Sequence, residues 1–278
     1  MQVIVAEHAG TCFGVERALR LADEALCAGG TACSLGPLIH NTRVVDDLAA
    51  KGLAVATSVE GIVADPVVIR SHGITPEESR ALDALGLKRV DATCPLVRNA
   101  QMSAERLGSR HEIVVVVGEA AHPEVRALCA YVREAGGYSI PALVPEDLPA
   151  HLPDSVGVVV QTTQRAAVLD RMLDALAARG IEVDLARTIC KATTLRQDAA
   201  LEVARRVDAM VVVGGRHSSN TARLAEICAG VCPRVFAIEG PDELEPEQFA
   251  GCAQVGLTAG ASTPAYQIHE VLSCLEGF

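Results

Sequence analysis

Cys12, Cys94 and Cys190 stand where apolar, strand-like runs give way to helical ones. Their settings are Ala9-Gly10-Thr11-Cys12-Phe13-Gly14, Asp91-Ala92-Thr93-Cys94-Pro95-Leu96 and Thr188-Ile189-Cys190-Lys191-Ala192. A thiol at a strand-to-helix junction lies beside backbone N–H groups that lack partners inside the helix, and such a setting favours thiolate and bound anions. Three thiols of this kind, spread almost evenly along the chain, suit one metal centre assembled from three similar segments. Three ligands leave one coordination position open, and an open position turns a structural metal into a catalytic one. The pattern leads to a catalytic iron–sulfur cluster with a free site.

The chain has ten cysteines in all. Cys27, Cys129, Cys228, Cys252 and Cys274 lie among apolar residues and read as small buried hydrophobes. Neither a signal peptide nor a short cysteine-dense framework supports disulfides. No Cys-x-x-Cys pair occurs, which argues against a zinc ribbon or a thioredoxin-like site.

Other polar residues gather where apolar runs end. Val67–Ile69 leads through Arg70 to Ser71-His72-Gly73, and Val114–Val117 leads through Gly118 to His122-Pro123-Glu124. Val211–Val213 leads to Ser218-Ser219-Asn220, and Val255–Leu257 leads to Thr258 and Ser262-Thr263-Pro264. Strand, small or polar loop, helix N-terminus is an anion-binding design, and ligands of open α/β sheets bind beyond the carboxyl ends of the strands. These loops hold almost no lysine and no Gly-rich phosphate fingerprint, so a diphosphate here would rest on hydroxyls, amides and imidazoles. Each Ser, Thr or Asn taken alone also reads as a helix cap. With Leu38-Ile39-His40-Asn41 added, the loops together look like a pocket. At His122-Pro123-Glu124, Pro123 starts a helix. Glu124 then either complements the helix dipole or donates protons beside a relay from Gln161-Thr162-Thr163, and the sequence leaves both open.

Placing such loops takes many strand ends, and the chain supplies them. Short Val/Ile runs alternate with Ala/Leu/Arg/Glu-rich helical stretches throughout, the pattern of buried parallel strands, so the class is α/β built from βαβ units. Thr75 to Glu78 reads as a capping box opening a helix. Three similar segments are expected, with joints near the second and third cysteine loops: residues 13–95, 96–188 and 189–278, with 1–12 packing onto the last. The 278 residues suffice for that arrangement. Net charge is −11 and aromatics are 3%, a balance that excludes a basic, stacking nucleic-acid surface. No apolar run approaches the ~18 residues of a membrane span, so a soluble, cytoplasmic protein with no membrane partner is expected.

Taken together these residues resemble the LytB/IspH family, the 4-hydroxy-3-methylbut-2-enyl diphosphate reductases of the non-mevalonate isoprenoid pathway. The resemblance rests on Gly10-Thr11-Cys12-Phe13-Gly14-Val15, His40-Asn41 with Val44-Val45, Ser71-His72-Gly73, and Asp91 through Val97. It continues through His122-Pro123-Glu124-Val125, Gln161-Thr162-Thr163, Ile189-Cys190 with Ala192-Thr193-Thr194 and Arg196-Gln197, Ser218-Ser219-Asn220, and Thr258 through Ser262. It implies a trefoil of three small α/β domains around a central [4Fe–4S] cluster held by Cys12, Cys94 and Cys190. By the same resemblance, His40, His72, Ser218, Ser219, Asn220 and Ser262 bind the diphosphate. His122 and Thr162 position the substrate hydroxyl and, with Glu124, deliver protons. The reaction implied is a two-electron reductive dehydroxylation to isopentenyl and dimethylallyl diphosphates, with electrons from a reduced ferredoxin or flavodoxin.

Departures from the family pattern fall at Glu119, Arg126–Leu128, Arg98–Gln101, Lys191 and Leu195, and none removes a matched position. Those at Glu119 and Arg126 motivate one alternative, a related iron–sulfur reductase for another small anionic substrate. A second alternative, from another class, is a non-catalytic iron–sulfur redox module. A redox module needs no proton relay, which sets it against the matched His122, Glu124 and Thr162.

Overall fold

A computed structural model describes residues 1–278. In chain order the elements are β1 (Gln2–Val5), α1 (Phe13–Gly29), β2 (Ala32–Leu35), α2 (Thr42–Ala50), β3 (Leu53–Ala56), β4 (Val67–Ile69), α3 (Pro76–Ala84) and β5 (Arg89–Asp91). Next come α4 (Pro95–Gly108), β6 (Ile113–Val117), α5 (Pro123–Glu134), β7 (Tyr138–Ala142), β8 (Ser155–Val160), α6 (Ala166–Ala178) and β9 (Glu182–Ala186). The chain closes with α7 (Lys191–Ala204), β10 (Ala209–Val213), α8 (Ser219–Ala229), β11 (Val235–Ile238), β12 (Gln254–Ala259) and α9 (Ala265–Glu276).

The strands form three four-stranded sheets, ordered β3-β2-β4-β5, β7-β6-β8-β9 and β1-β12-β10-β11, and every pairing is parallel. The α/β class is therefore as read from the sequence. Parallel strands need crossover connections, and the helices between them serve that purpose. The unbroken valine runs follow from burial on both faces. In β6 and β8, Val114, Val116 and Val159 enter one core while Val115, Val117, Val158 and Val160 enter the other. In β10, Val211 and Val213 face one core and Met210 and Val212 the opposite one. The N-terminal strand β1 joins the last sheet, running parallel to β12 with Val3 opposite Val255.

Contacts divide the chain into two compact units. The first comprises Met1–Glu16, Ile39–Asp46 and Lys191–Phe278; the second comprises Arg17–Leu38 and Asp47–Cys190. The first unit holds one sheet and the second holds two. No helix is long and apolar enough to cross a membrane.

Local signals behave as their chemistry demands. Thr75 Oγ1 accepts from Glu78 N at 3.1 Å while Glu78 Oε2 accepts from Thr75 N at 2.7 Å, a complete capping box before Pro76. One reading needs correction. Cys27 is exposed, and Cys252 and Cys274 are half-buried, whereas Cys33, Cys129, Cys228 and Cys232 are buried. Helix α1 buries Ala18, Ala22, Ala25 and Leu26, and Cys27 follows the last of these around the helix onto the solvent side.

The middle of β12 is packed to the backbone. A β-carbon at Gly256 would lie 2.2 Å from Met210 Sδ and 2.7 Å from Val203 Cγ1. Gly256→Ala should therefore destabilise the fold by about 1–3 kcal/mol through overpacking. Urea unfolding should show a lower midpoint with an unchanged slope, and a wild-type midpoint would mean that the strand yields freely.

Candidate active site

Within the second unit, α5 and the loop after β8 bring a carboxyl and a hydroxyl together. His122 is the N-cap of α5 and Pro123 its first residue, so Glu124 falls in the first turn and is 1% exposed. Thr162 N donates to Glu124 Oε1 at 2.7 Å, and Thr162 Oγ1 donates to Glu124 Oε2 at 3.0 Å. Burial pushes the Glu124 carboxyl up to about 7, against the pull of these two hydrogen bonds. A carboxyl so placed holds a proton near neutrality and touches a hydroxyl able to pass it on.

The surrounding loops are tied to this pair. His122 Nδ1 accepts from Glu124 N at 3.1 Å, which leaves the proton of the neutral ring on Nε2. The His122 ring meets that of His72 edge-on, with centroids 5.5 Å apart. His72 sits between Ser71, whose carbonyl accepts from Cys94 N at 3.0 Å, and Gly73, whose φ of 72° makes the turn. Cys190 N donates to Thr162 O at 3.0 Å. Thr188 Oγ1 donates to Val160 O and accepts from Val160 N at 3.1 Å, fixing the Cys190 loop to the end of β8. The second unit thus assembles His72, Cys94, His122, Glu124, Thr162 and Cys190.

The first unit assembles the remainder. Cys12 N donates to Ala261 O at 3.3 Å, beside Ser262. Ser262 Oγ donates to His40 O at 2.9 Å. Ser218 caps α8, accepting from Thr221 N at 3.3 Å, so the helix-cap reading of this residue holds locally. Ser219 follows it as the first residue of α8 and is buried. Asn220 differs from an ordinary cap. It is 4% exposed, and neither Nδ2 nor Oδ1 has a hydrogen-bond partner. A buried amide with both groups unpaired is expensive, and a polar partner would satisfy it.

Two arginines that the motif reading did not assign hold the cysteine loops. Arg196 of α7, 3% exposed, donates through Nη2 to Gly10 O at 2.7 Å, and Arg17 of α1 donates to Thr93 O at 3.1 Å and Asp91 O at 3.2 Å. Arg196-Gln197 was part of the motif set, but nothing local tells a carbonyl-binding arginine from a solvent one. All ten cysteines are thiols with no disulfide, and Cys12, Cys94 and Cys190 are each half-buried directly before a helix. Reduced thiols in such settings have the chemistry of iron–sulfur ligands.

The Glu124 titration makes a stability prediction. Between about pH 4.5 and about 7 the folded chain keeps a proton that the unfolded chain has lost. The stability contribution is whole below the unfolded value, falls as pH rises through that window, and levels off above it, a change on the order of a few kcal/mol. Glu124→Gln should flatten this slope. Denaturant unfolding of the metal-free protein at about pH 5 and about pH 8 measures it, and an unchanged slope would exclude Glu124 as its source.

Comparison with known proteins gives the family of the chain. The LytB protein family matches residues 3–276. A 4-hydroxy-3-methylbut-2-enyl diphosphate reductase of Geotalea uraniireducens is 43% identical over 278 residues, covering 99% of this chain and 97% of its own. The enzyme of the same name from Aquifex aeolicus is 41% identical over 278 residues, covering 99% and 96%. A solved structure of (E)-4-hydroxy-3-methyl-but-2-enyl diphosphate reductase, the terminal enzyme of the non-mevalonate pathway, shares 40% identity over the whole of both chains with a TM-score of 0.71. The corresponding reductase structure from Plasmodium falciparum, at 23% identity, shares the fold with a TM-score of 0.89 over 99% of this chain and 87% of its own. On the full-length family match and these whole-chain identities, the chain belongs to the LytB protein family.

Proposed function

We propose that this chain is an oxidoreductase that converts 4-hydroxy-3-methylbut-2-enyl diphosphate into isopentenyl and dimethylallyl diphosphates, the last step of the non-mevalonate isoprenoid pathway. The observation that carries the reading is the buried Glu124–Thr162 pair, a carboxyl protonated near neutrality and joined to a hydroxyl at 3.0 Å. The named reductases that match along the whole chain support it. The organisation that goes with it is three α/β domains, 13–95, 96–188 and 189–278 with 1–12. Each of these spans contains all the strands of one sheet, which supports the division.

Cys12, Cys94 and Cys190 hold a [4Fe–4S] cluster, in keeping with their reduced, half-buried thiols. When bound, the cluster supplies electrons one at a time and a Lewis acid for the hydroxyl oxygen. The electron donor is a small carrier protein of the ferredoxin or flavodoxin kind. Removing hydroxide from the allylic carbon consumes two electrons and two protons and releases water.

The side chains divide the remaining work. Asn220, with its open amide, receives the diphosphate, and His40, His72, Ser218, Ser219 and Ser262 are the further diphosphate ligands that the family resemblance implies. These donors are neutral or switchable, so the anion is held by directed hydrogen bonds instead of net charge. The diphosphate then supplies binding energy remote from the reacting carbon, which orients it. His122, with its proton on Nε2, and Thr162 position the hydroxyl. When protonated, the Glu124 carboxyl donates to Thr162 Oγ1 across the same 3.0 Å, and the threonine passes its own hydrogen to the departing oxygen.

Anaerobic turnover of the butenyl diphosphate with a reduced artificial donor tests the reading. Glu124→Gln should keep substrate affinity but lower kcat by about 10²–10⁴-fold in single-turnover measurements. Near-normal turnover would make Glu124 a helix-dipole residue and leave the proton source elsewhere. For the cluster, Cys94→Ser should abolish normal iron and sulfide content, whereas Cys129→Ser should not. Full cluster content after loss of Cys94 would remove it from the ligand set.

A further inference from the structure

Two primary amides lie buried against one another with no assigned role: Asn41, 4% exposed, and Gln267, 1% exposed. Asn41 Nδ2 donates to Gln267 Oε1 at 2.9 Å and to Ser262 O at 2.9 Å. Gln267 Nε2 returns a bond to Asn41 Oδ1 at 3.4 Å and donates to Tyr266 Oη at 3.1 Å. Asn41 Oδ1 also accepts from Val44 N at 3.2 Å and so caps α2. Ser262 Oγ donates to His40 O at 2.9 Å, and a β-carbon at Gly215 would lie 2.4 Å from that same carbonyl.

These contacts hold a segment that the chain order would place elsewhere. Ile39–Asp46 lies between β2 and β3, yet it belongs to the first compact unit, with Lys191–Phe278. Two interactions with α9 compete for the credit. Arg43 pairs with Glu270 at 2.8 Å and lies 5.9 Å from the Tyr266 ring centre, but both charged groups are about 40% exposed, so water and salt weaken that pair. The amide pair is dry. Breaking it strands a donor and an acceptor away from water, which is the costlier loss. The residue type matters as well. Methionine fills the same volume with neither group, and ionised glutamate offers acceptors only.

We infer that Gln267 is a positioning residue for diphosphate binding: through Asn41 it fixes the backbone of His40 and Ser262 and so the aim of both side chains. This rests on the reading above of His40 and Ser262 as diphosphate ligands. An anion held by several neutral donors depends on their mutual placement, so loosening this loop costs affinity and leaves proton delivery at Glu124 untouched.

The test compares Gln267→Met with the parent in the full, anaerobically loaded chain. Calorimetry with inorganic diphosphate gives Kd, and steady-state reduction of the butenyl diphosphate gives KM and kcat. Kd and KM should both rise about five- to tenfold, the loss of one buried hydrogen bond. Visible absorption should be unchanged, and kcat should stay within about twofold. Combined with Ser262→Ala, the two losses in affinity should overlap instead of adding. Parental Kd and KM in Gln267→Met overturn the inference, as does a fall in kcat at constant KM or full additivity with Ser262→Ala. Should Gln267→Met fail to fold, Gln267→Glu, which keeps the acceptor for Asn41, must weaken diphosphate by about two- to fivefold, and parental affinity there overturns it equally. A parent that reduces the substrate while the variants match it sinks the Gln267 inference alone. A parent that neither binds diphosphate nor reduces the substrate overturns both readings.

Discussion

A carboxyl taken out of water must have its oxygens satisfied or keep its proton, and Glu124 does some of each. Thr162 fills one oxygen with its amide and the other with its hydroxyl, while burial still holds the group near neutrality. The same threonine offers its carbonyl to Cys190 N, and the amide of Glu124 is taken by His122. The carboxyl–hydroxyl pair, the histidine tautomer and the approach to one cysteine are therefore set by one short chain of hydrogen bonds. Shifting the loop after β8 would disturb all three.

That chain can exist only because parallel sheets deliver their loops to one end. Each strand of a parallel sheet leaves by the same edge, and helices carry the chain back. Burial of both sheet faces makes the scaffold rigid, with valines alternating between two cores in β6, β8 and β10. The loops of Gly, Ser, Thr, His and Asn at the strand ends are largely buried in their turn, so the polar side chains they carry are held by packing as well as by hydrogen bonds. Ser218 shows that a place in such a loop does not exclude an ordinary duty, because it caps α8 and stands next to the open amide of Asn220 in the same turn.

Much of this was legible from local chemistry. The strands Val67–Ile69 and Ile113–Val117, the capping box at Thr75, and the helix start at Pro123 depend on residues within a turn or a strand of one another. The burial of Cys27 was misjudged because composition ignores which way a helix face turns. Arg17 and Gln267 carried no readable signal, and Arg196, although it stands in a matched motif, carried none of its role. Their partners are Thr93, Gly10 and Asn41, far away in sequence, and two of those contacts are to backbone carbonyls that any residue could offer.

By itself, then, the sequence determined the α/β class, the strand ends, the three cysteine junctions and the kinds of donor available at them. These follow from periodicity, turn chemistry and side-chain type, which act over a few residues. Tertiary structure alone decided which donors are left open and which are spent. It emptied the hydrogen-bonding sites of Asn220, buried Glu124 against Thr162, and drew Ile39–Asp46 away from its neighbours in the chain onto Gln267 and Ser262. The reason is physical. Desolvation and the matching of distant donors with acceptors depend on what surrounds a group in space, and no window of the chain contains that information.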